Sequence, residues 1–484
     1  MTGVANTSDI VMLDAVRLGA AIHARDVSCV EVMGAYLDQI ERLNPTFNAI
    51  VALQDRGTLL RQAEERDAQL GRGASMGPLH GFPLAVKDLQ ATRGIVTAQG
   101  SPIFRDFVPD ADSLVVERLR GAGGIVIGKT NTPEFGLGSH TYNPVYGVTR
   151  NAWDPMRSAG GSSGGAAVAL ALRMSPVADG SDYGGSLRNP AGWNNVLGFR
   201  PSLGRVPNTA RDDWLPSMGV SGPMARNVRD LALLLSVMAG FDARAPLSLP
   251  GDGSEFLDAR ERDPRGVRIG WLGDFGGAAP CEPGVLEVCE TALKRFGMLG
   301  CVVEPATPDY APDAAWAAFK TIRHWQAGGT LLEHHQDPAR RALMKPEAVF
   351  EVESGLKLSA YDVSAASLAR SEWSQAVRRL FETHDYLIMP TAQVFPFDVT
   401  GTWPRQIAGQ AMDSYHAWMK GVCLVSLSGC PSLAIPAGFG AQGLPMGIQI
   451  VGPVQHELAC LELALAYERA AGWGARLPPT LTAS

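Results

Sequence analysis

The chain has 484 residues, of which 46% are hydrophobic and 19% are charged, a composition typical of a globular protein with a large core. Its net charge of −7 lacks the concentrated positive charge that nucleic acid or an anionic membrane surface requires, so we expect neither partner. The sequence contains no apolar run long enough to span a membrane and no signal-peptide pattern over its first 14 residues. A cytoplasmic location is therefore expected.

The seven cysteines are scattered and form no C-x-x-C pair, which argues against a disulfide framework or a zinc site. We expect most of them to be small buried side chains. The nine histidines show no H-E-x-x-H pattern. We accordingly expect neither a metal nor another cofactor.

The first clear helix is predicted to begin after Ser28, an N-cap residue for which Glu31 completes a capping box. Apolar residues follow at helical spacing until Asn44-Pro45, where the helix is predicted to end. Farther along, the apolar run at residues 81–86 predicts a buried strand with Lys87 at its end.

Strand and helix patterns then alternate, which predicts an α/β layered fold. A helix over about 113–120 precedes a strand at 125–127, and a strand at 266–272 precedes a helix at 285–296 and a strand at 301–303. Strand character returns at 385–391 and 447–452. Residues 312–382 have helical character, so we expect one α/β core with an inserted helical substrate region.

Residues 138–165 are rich in Gly, Ser, Asn and Thr and predict a long connecting loop. A long loop inside a compact domain is more often functional than idle. A compact Ala-rich helix is predicted to follow over 166–172.

Lys87 ends a strand that should be buried, and a buried lysine is costly unless it is paired or neutral. Two interpretations remain open on this segment alone. Lys87 forms an ion pair with the adjoining Asp88 or another carboxylate, or burial lowers its pKa until it can act as a general base.

Two serines stand in glycine-rich motifs, Ser162 in Gly160–Gly165 and Ser186 in Gly180–Ser186. Glycine allows tight turns and close backbone approach, and a nucleophilic serine needs neighbouring N–H groups aimed at the developing oxyanion. A flexible Gly/Ser loop is the alternative for either motif alone. Two such motifs together with Lys87 favour catalysis.

Two other patterns match familiar motifs by letter only. Gly160–Gly164 fits G-x-S-x-G, but residues 154–159 do not form the strand that a nucleophile elbow requires. Residues 123–130 fit the P-loop pattern, but their middle four residues predict an apolar strand rather than a phosphate-binding loop.

In this order the Lys87, Ser162 and Ser186 segments resemble the amidase signature family, and so do Gly128–Gly136, Gly147–Asn151 and Gly443–Gln449. The resemblance implies a single amidase signature domain over residues 1–484, with a central mixed sheet covered by helices and a substrate-side helical insertion at 312–382.

The same resemblance implies roles for individual residues. Lys87 matches the catalytic lysine, Ser162 the bridging serine after a cis peptide bond, and Ser186 the nucleophile. The backbone N–H groups of Tyr183, Gly184, Gly185 and Ser186 match the oxyanion hole.

Tyr183 stands where many members of the family have Thr, and residues 186–195 depart from the commoner pattern. In these positions the chain is similar to the branch of nylon-oligomer, aryl-amide and urethane hydrolases. That implies small apolar or aryl amide substrates, with carbamates and esters as further candidates, and an acyl pocket near Gly136, Leu137 and Gly138. Trp316, Trp325 and Trp373 could line the amine side, although core packing is favoured for each.

Two other functions compete with this hypothesis. One is the glutamine-amidase component of a tRNA-dependent amidotransferase complex, which Tyr183 and Trp193-Asn194-Asn195 disfavour. The other is a non-catalytic binding protein, which the intact Lys87 and serines disfavour. The sequence leaves open whether the protein forms a homodimer.

Overall fold

The structure is a computed structural model that describes residues 7–209, 214–215 and 218–482. The α-helices are α1 (Thr7–Met12), α2 (Ala15–Ala24), α3 (Cys29–Phe47), α4 (Arg56–Gly71), α5 (Leu114–Gly121), α6 (Gly164–Ala171), α7 (Arg188–Asn194), α8 (Val228–Met238), α9 (Val285–Met298), α10 (Pro312–Gln336), α11 (Pro338–Arg341), α12 (Pro346–Gly355), α13 (Ala360–Leu380), α14 (Lys420–Ser428), α15 (Glu457–Ala471) and α16 (Pro479–Thr482). None of the helices in these ranges combines the length and apolar character needed to cross a bilayer.

The strands form one large sheet, one small sheet and two hairpins. They are β1 (Ile50–Val51), β2 (Pro83–Lys87), β3 (Ile125–Thr130), β4 (Tyr142–Asn143), β5 (Gly147–Val148), β6 (Ala178–Asp182), β7 (Leu197–Arg200), β8 (Val220–Ala225), β9 (Arg268–Trp271), β10 (Val302–Pro305), β11 (Tyr386–Pro390), β12 (Gln406–Ile407), β13 (Gln410–Ala411), β14 (Ser432–Phe439) and β15 (Pro445–Val451).

The large sheet has eight strands in the order β10-β9-β11-β15-β14-β7-β8-β6. Its β10-β9 and β9-β11 pairs are parallel and the remaining pairs are antiparallel. This mixed sheet with covering helices confirms the predicted α/β fold class. The small sheet, β1-β3-β2, pairs β2 and β3 in parallel.

The predicted start of α3 is confirmed, because Ser28 and Glu31 form both hydrogen bonds of a capping box. Its predicted end is wrong: Pro45 lies inside the helix, which continues to Phe47. The left-handed cap at Asn48, whose N–H donates to Asn44 O at 2.8 Å, closes the helix instead. A proline in the last turn removes only one hydrogen bond, so the helix can end a few residues later.

Other predicted elements are present with shifted boundaries. The strand predicted at 125–127 continues to Thr130, because β3 pairs with β2 as far as Lys87, and the P-loop interpretation is thereby excluded. The loop predicted over 138–165 contains the short β4-β5 hairpin, and α6 begins earlier than predicted, at Gly164.

The region predicted to be helical at 312–382 holds α10, α11, α12 and α13. A small hydrophobic cluster, separate from the main core, joins α10 and α12 to the 134–138 segment; it consists of Leu137, Leu331, Met344, Ala348 and Val352. We call it the satellite cluster. Trp316 and Trp373 belong to the main core, as favoured, and Trp325 is half-buried.

Candidate active site

Lys87 lies where the small sheet meets the edge strand β6 of the large sheet. Its backbone N–H donates to Asp179 Oδ1 on β6 at 3.0 Å, which ties the two sheets together. Its side chain is fully buried. The Nζ atom is 2.8 Å from Ser162 Oγ, 2.8 Å from Ser163 Oγ and 3.0 Å from Ser181 Oγ.

The surroundings of Asp88 and Lys87 favour the second interpretation of Lys87, as a base with a lowered pKa. The carboxylate of Asp88 accepts hydrogen bonds from the Ala98 and Gly100 backbone N–H groups at 3.1 and 3.0 Å and does not pair with Lys87. Burial lowers the pKa of Lys87 to about 7, even though the charges of Asp179 and Asp182 oppose that change. A large fraction of Lys87 is therefore neutral near pH 8 and able to accept a proton.

Ser162 follows a cis peptide bond from Gly161, the feature that the family resemblance implies at this position. Ser162 lies two residues before α6, and close packing at the start of this helix explains its glycines. A Cβ on Gly165 would lie 2.4 Å from the Asn131 backbone nitrogen, so only glycine fits. The hydroxyl of Ser162 is buried beside Lys87.

Ser186 stands in the turn between β6 and α7 and is half-buried. The backbone N–H of Ser163 donates to Ser186 O at 3.2 Å, which places the two serine motifs side by side. Among the described residues, the Ser186 hydroxyl has no hydrogen-bond partner. It is therefore free to approach a substrate carbonyl.

A buried ion pair fixes the turn that carries Ser186. Asp182 accepts hydrogen bonds from Arg188 Nε at 3.0 Å and Nη2 at 2.9 Å, and Arg200 pairs with the same carboxylate at 3.3 Å. Burial alone would raise the pKa of Asp182, but the two guanidinium groups outweigh burial and hold it well below its usual range. The turn is therefore held by the Asp182 carboxylate, which stays ionised in the core.

The four predicted oxyanion donors are not equivalent. Gly185 N–H donates to Asp182 Oδ1 at 2.8 Å and so is already occupied. The amides of Gly184 and Ser186 donate to no acceptor in the part of the chain that the structure describes. Tyr183 precedes them at the end of β6, with its ring in the wall of a cavity. The Tyr183 amide likewise donates to no acceptor among the described residues, so Tyr183, Gly184 and Ser186 remain the candidate oxyanion donors.

The cavity has a volume of about 350 Å³, and the turn that holds Ser186 forms part of its wall through Tyr183. Its apolar lining includes Phe104, Phe135, Leu137, Ala327 and Leu331, contributed by the 134–138 segment, α10 and a neighbouring loop. The polar part of the lining consists of Gln99, Arg323, Gln326, Thr330 and His334. A cavity of this size that combines apolar walls with polar groups is typical of a small-molecule site.

The three predicted acyl-pocket residues have different surroundings. A Cβ on Gly136 would lie 3.6 Å from Ser162 Oγ, so its backbone borders that hydroxyl. Leu137 lines the cavity, whereas Gly138 borders a small adjoining cleft that also contacts Tyr415. Leu137 is the one member of the three on the cavity wall.

Sequence reasoning missed several residues that shape the site. Ser163 and Ser181 contact Lys87, and Asp179 and Asp182 supply buried charge beside it. The signal was present, since all four residues lie inside or next to the two glycine-rich serine motifs. Within the described ranges, His, Cys, Asp and Glu side chains form no group of three or more that could hold a metal ion.

Comparison with known proteins identifies the family. A family model described as Amidase matches residues 31–461. The chain is 33% identical to an acylamidase of Rhodococcus erythropolis, covering 96% of this chain and 97% of the relative. It is 34% identical to one of the subunits of the glutamyl-tRNA(Gln) amidotransferase of Chloroflexus aurantiacus, covering 95% and 96% respectively.

Solved structures agree. A bacterial aryl acylamidase of the amidase signature family superimposes with a TM-score of 0.89 at 29% identity, covering 96% of this chain and 98% of that one. A 6-aminohexanoate cyclic dimer hydrolase superimposes with a TM-score of 0.85 at 25% identity, covering 97% and 99%. The chain therefore belongs to the amidase signature family and is an amidase, a hydrolase of amide carbon–nitrogen bonds.

Proposed function

We propose that this amidase cleaves small apolar or aryl amides through an acyl-enzyme on Ser186, with Ser162 and Lys87 as its proton relay. The observation that carries the proposal is the 2.8 Å contact between the buried Lys87 Nζ and Ser162 Oγ. A lysine with its pKa lowered to about 7 by burial can serve as the base of such a relay near neutral pH.

In the first step, neutral Lys87 takes a proton from Ser162, which in turn takes the proton of Ser186. Ser186 Oγ attacks the substrate carbonyl, and the unengaged amides of Tyr183, Gly184 and Ser186 are the donors proposed for the oxyanion. The relay then reverses and protonates the leaving nitrogen. Water attacks the acyl-enzyme by the same relay, which releases the acid and regenerates Ser186.

The preference for apolar or aryl amides rests on two observations. We call the turn between β6 and α7, which carries Ser186, the nucleophile turn. The cavity next to it is lined mainly by aromatic and aliphatic side chains. The relatives include an acylamidase, an aryl acylamidase and a 6-aminohexanoate cyclic dimer hydrolase. Carbamates and esters present the same carbonyl to Ser186 and extend the candidate set. We further propose that residues 312–382 are a substrate-side insertion within a single domain, because α10 supplies much of the cavity wall.

A second candidate is the glutamine-amidase role within an amidotransferase complex, which the 34% identity to a component of such a complex favours. Against it stands Tyr183, whose ring fills the wall beside the nucleophile turn and makes that wall aromatic. Glutaminase activity that appears only with partner subunits would favour this second candidate.

The first experiment compares the wild type with Ser186→Ala for release of nitroaniline from a short-acyl nitroanilide at pH 8. We expect release by the wild type alone, while Ser186→Ala still binds the substrate. Turnover by a correctly folded Ser186→Ala protein would overturn the assignment of Ser186. If neither protein releases nitroaniline, carbamates, nylon oligomers and glutamine are the next substrates to compare.

A further inference from the structure

The cavity beside the nucleophile turn has an arginine in its wall but no acidic side chain among the described lining residues. Its lining includes Arg323 from α10, and the described residues that line it contribute no Asp, Glu or Lys. The remaining wall combines the polar side chains of Gln99, Gln326, Thr330 and His334 with aromatic and aliphatic side chains. The apolar part lowers the local dielectric constant and strengthens an interaction with the guanidinium group. An apolar amide alone gives no reason for an arginine in this wall.

The Arg323 side chain is held in place from behind. Its Nε donates to Glu351 Oε1 at 3.3 Å, and its Cζ lies 4.5 Å from the centroid of the Tyr183 ring. The same carboxylate accepts hydrogen bonds from Tyr415 and from His416 Nε2, the latter at 2.7 Å. Only 11% of the Arg323 side chain is exposed, so the guanidinium is largely immobilised before any ligand arrives.

Glu351 anchors Arg323 without cancelling its charge at the cavity surface. The carboxylate is fully buried and is absent from the cavity lining. Burial alone would raise the pKa of Glu351, but His416, His324 and Arg323 outweigh burial and hold it well below its usual range. Glu351 therefore remains ionised behind the guanidinium, which is the charged group nearer to any ligand.

The guanidinium also retains unused donors. Of its five N–H groups, one donates to Glu351 and one interacts with Tyr415. The others donate to no acceptor among the residues that the structure describes. The planar guanidinium with unused N–H groups is suited to bind a carboxylate, which can accept two parallel hydrogen bonds from it.

One aromatic side chain, Tyr183, stands between Arg323 and the turn that carries Ser186. Arg323 packs on the ring of Tyr183, and Tyr183 belongs to the turn that ends at Ser186. The guanidinium is thus separated from that turn by one aromatic side chain. A substrate carbonyl at Ser186 and an acceptor at Arg323 need a spacer of comparable length, such as a para-substituted phenyl ring.

We propose that Arg323 selects amide substrates with a carboxylate group one aromatic ring away from the scissile bond. The inference rests on the proposed function and narrows its substrate class from aryl amides to carboxyaryl amides. Arg323 acts on substrate selection, whereas Lys87, Ser162 and Ser186 carry out the bond cleavage.

The test measures binding rather than turnover, so that its failure differs from failure of the proposed chemistry. Dissociation constants for 4-acetamidobenzoate and its neutral near-isostere 4-acetamidobenzamide are measured by calorimetry on Ser186→Ala, which retains the site but not the nucleophile. We expect the benzoate to bind about tenfold more tightly than the benzamide. Adding Arg323→Gln should reduce that ratio to about one.

Two further variants show whether the preference for the benzoate comes from Arg323 itself rather than from the overall positive charge of the helix or from a folding defect. Lys320→Gln removes a positive charge from the same helix outside the cavity lining and should leave the ratio unchanged. Arg323→Lys keeps the positive charge but loses the planar pair of N–H donors. Its ratio of dissociation constants should therefore lie between that of the protein with Arg323 and that of Arg323→Gln. It also provides a readout if Arg323→Gln does not fold.

A ratio near one with Arg323 present, no detectable binding of the benzoate, or an unchanged ratio after loss of Arg323 would overturn the proposal. None of these results depends on whether the wild type turns over amides. Failure of the wild type to release nitroaniline would instead count against the proposed aryl amidase activity.

Discussion

The nucleophile region and the cavity wall rest on different parts of the molecule. Lys87 and Ser162 are buried where the two sheets meet, and the turn before Ser186 is anchored by Asp182 in the main core. The cavity wall comes largely from the 134–138 segment and the second half of α10, which pack with α12 around the satellite cluster. The first half of α10 belongs to the main core through Trp316 and Phe319. The residues proposed to break the bond are therefore supported by the main core, whereas much of the wall proposed to select substrates is supported by a small local cluster.

The hydrogen bonds that hold the cavity wall together are also local. Lys345, which precedes α12, donates from Nζ to Leu137 O at 2.7 Å and from its backbone N–H to Glu134 Oε2 at 2.9 Å. These few contacts hold α12 against the 134–138 segment. Substitutions in the wall should change which substrates bind, and substitutions near the sheets should change whether the enzyme works or folds.

The largest effect should come from breaking the relay. Lys87→Met and Ser162→Ala should each lower kcat by about 10³-fold or more, and the double variant should lose little beyond either single one. Steady-state kinetics on a nitroanilide measure all three. Ser163→Ala is the matched control: Ser163 also lies 2.8 Å from Lys87 Nζ but has no place in the relay, so a loss of about tenfold or less is expected. Fully multiplicative losses in the double variant would show that Lys87 and Ser162 do not act as a unit.

The anchor of the nucleophile turn gives the next effect. Asp182→Asn leaves Arg188 and Arg200 buried without their counter-charge, and should lower the free energy of unfolding by about 3–5 kcal/mol. Urea denaturation measures the change. Asp242→Asn, which removes a carboxylate from the ion pair with the exposed Arg244, should have a much smaller effect. Equal losses in the two variants would contradict the anchoring role.

The pH dependence of kcat/KM tests the lysine itself. A protonated Lys87 cannot accept a proton, so the rate should fall about tenfold per pH unit below the Lys87 pKa of about 7. The profile should rise through neutrality and level off on the alkaline side. Substrate affinity of Ser186→Ala over the same range checks that binding does not cause the loss. A flat profile from pH 5 to 10 would exclude Lys87 as the base.

The smallest effect should come from the wall. Leu331→Ala enlarges the cavity and removes apolar contact, which should raise KM for aryl amides by roughly fivefold, about 1 kcal/mol. The kcat for a short aliphatic amide should change little. Leu433→Ala, at a fully buried position on β14, should instead cost about 2–5 kcal/mol of stability and leave substrate preference unaltered. A change of preference in Leu433→Ala would show that the two regions are coupled.

Much of the nucleophile region could be predicted because its signals are local in the chain. Ser162 and Ser186 stand in glycine-rich motifs, and Lys87 ends an apolar strand, so residue type and immediate neighbours indicate their chemistry. Ser28 and Glu31 similarly marked a helix start by a three-residue spacing. The end of that helix escaped prediction because the Asn48 cap, which follows Pro45 within the same turn, determines it.

The wall could not be predicted in the same way. Arg323, Glu351 and Tyr415 belong to three distant segments, and no spacing along the chain links them. Arg, Glu and Tyr at these positions carry no sequence signal of a shared site, so only packing reveals that they meet near Tyr183. The unequal oxyanion donors were hidden for a related reason, because the Asp182 carboxylate that engages Gly185 N–H is specified by the three-dimensional turn.

The partners of Arg188 have a consequence for the order in which the protein becomes active during synthesis. Besides Asp182, its guanidinium donates to Gln449 Oε1 at 2.7 Å and to the Ser426 hydroxyl at 2.5 Å. A ribosome has made Lys87, Ser162 and Ser186 long before it reaches those residues. A nascent chain that ends before β14 and β15 would have the three chemical groups but no settled turn to hold the nucleophile. Activity should therefore appear late and abruptly, once residues 445–451 can insert into the middle of the large sheet.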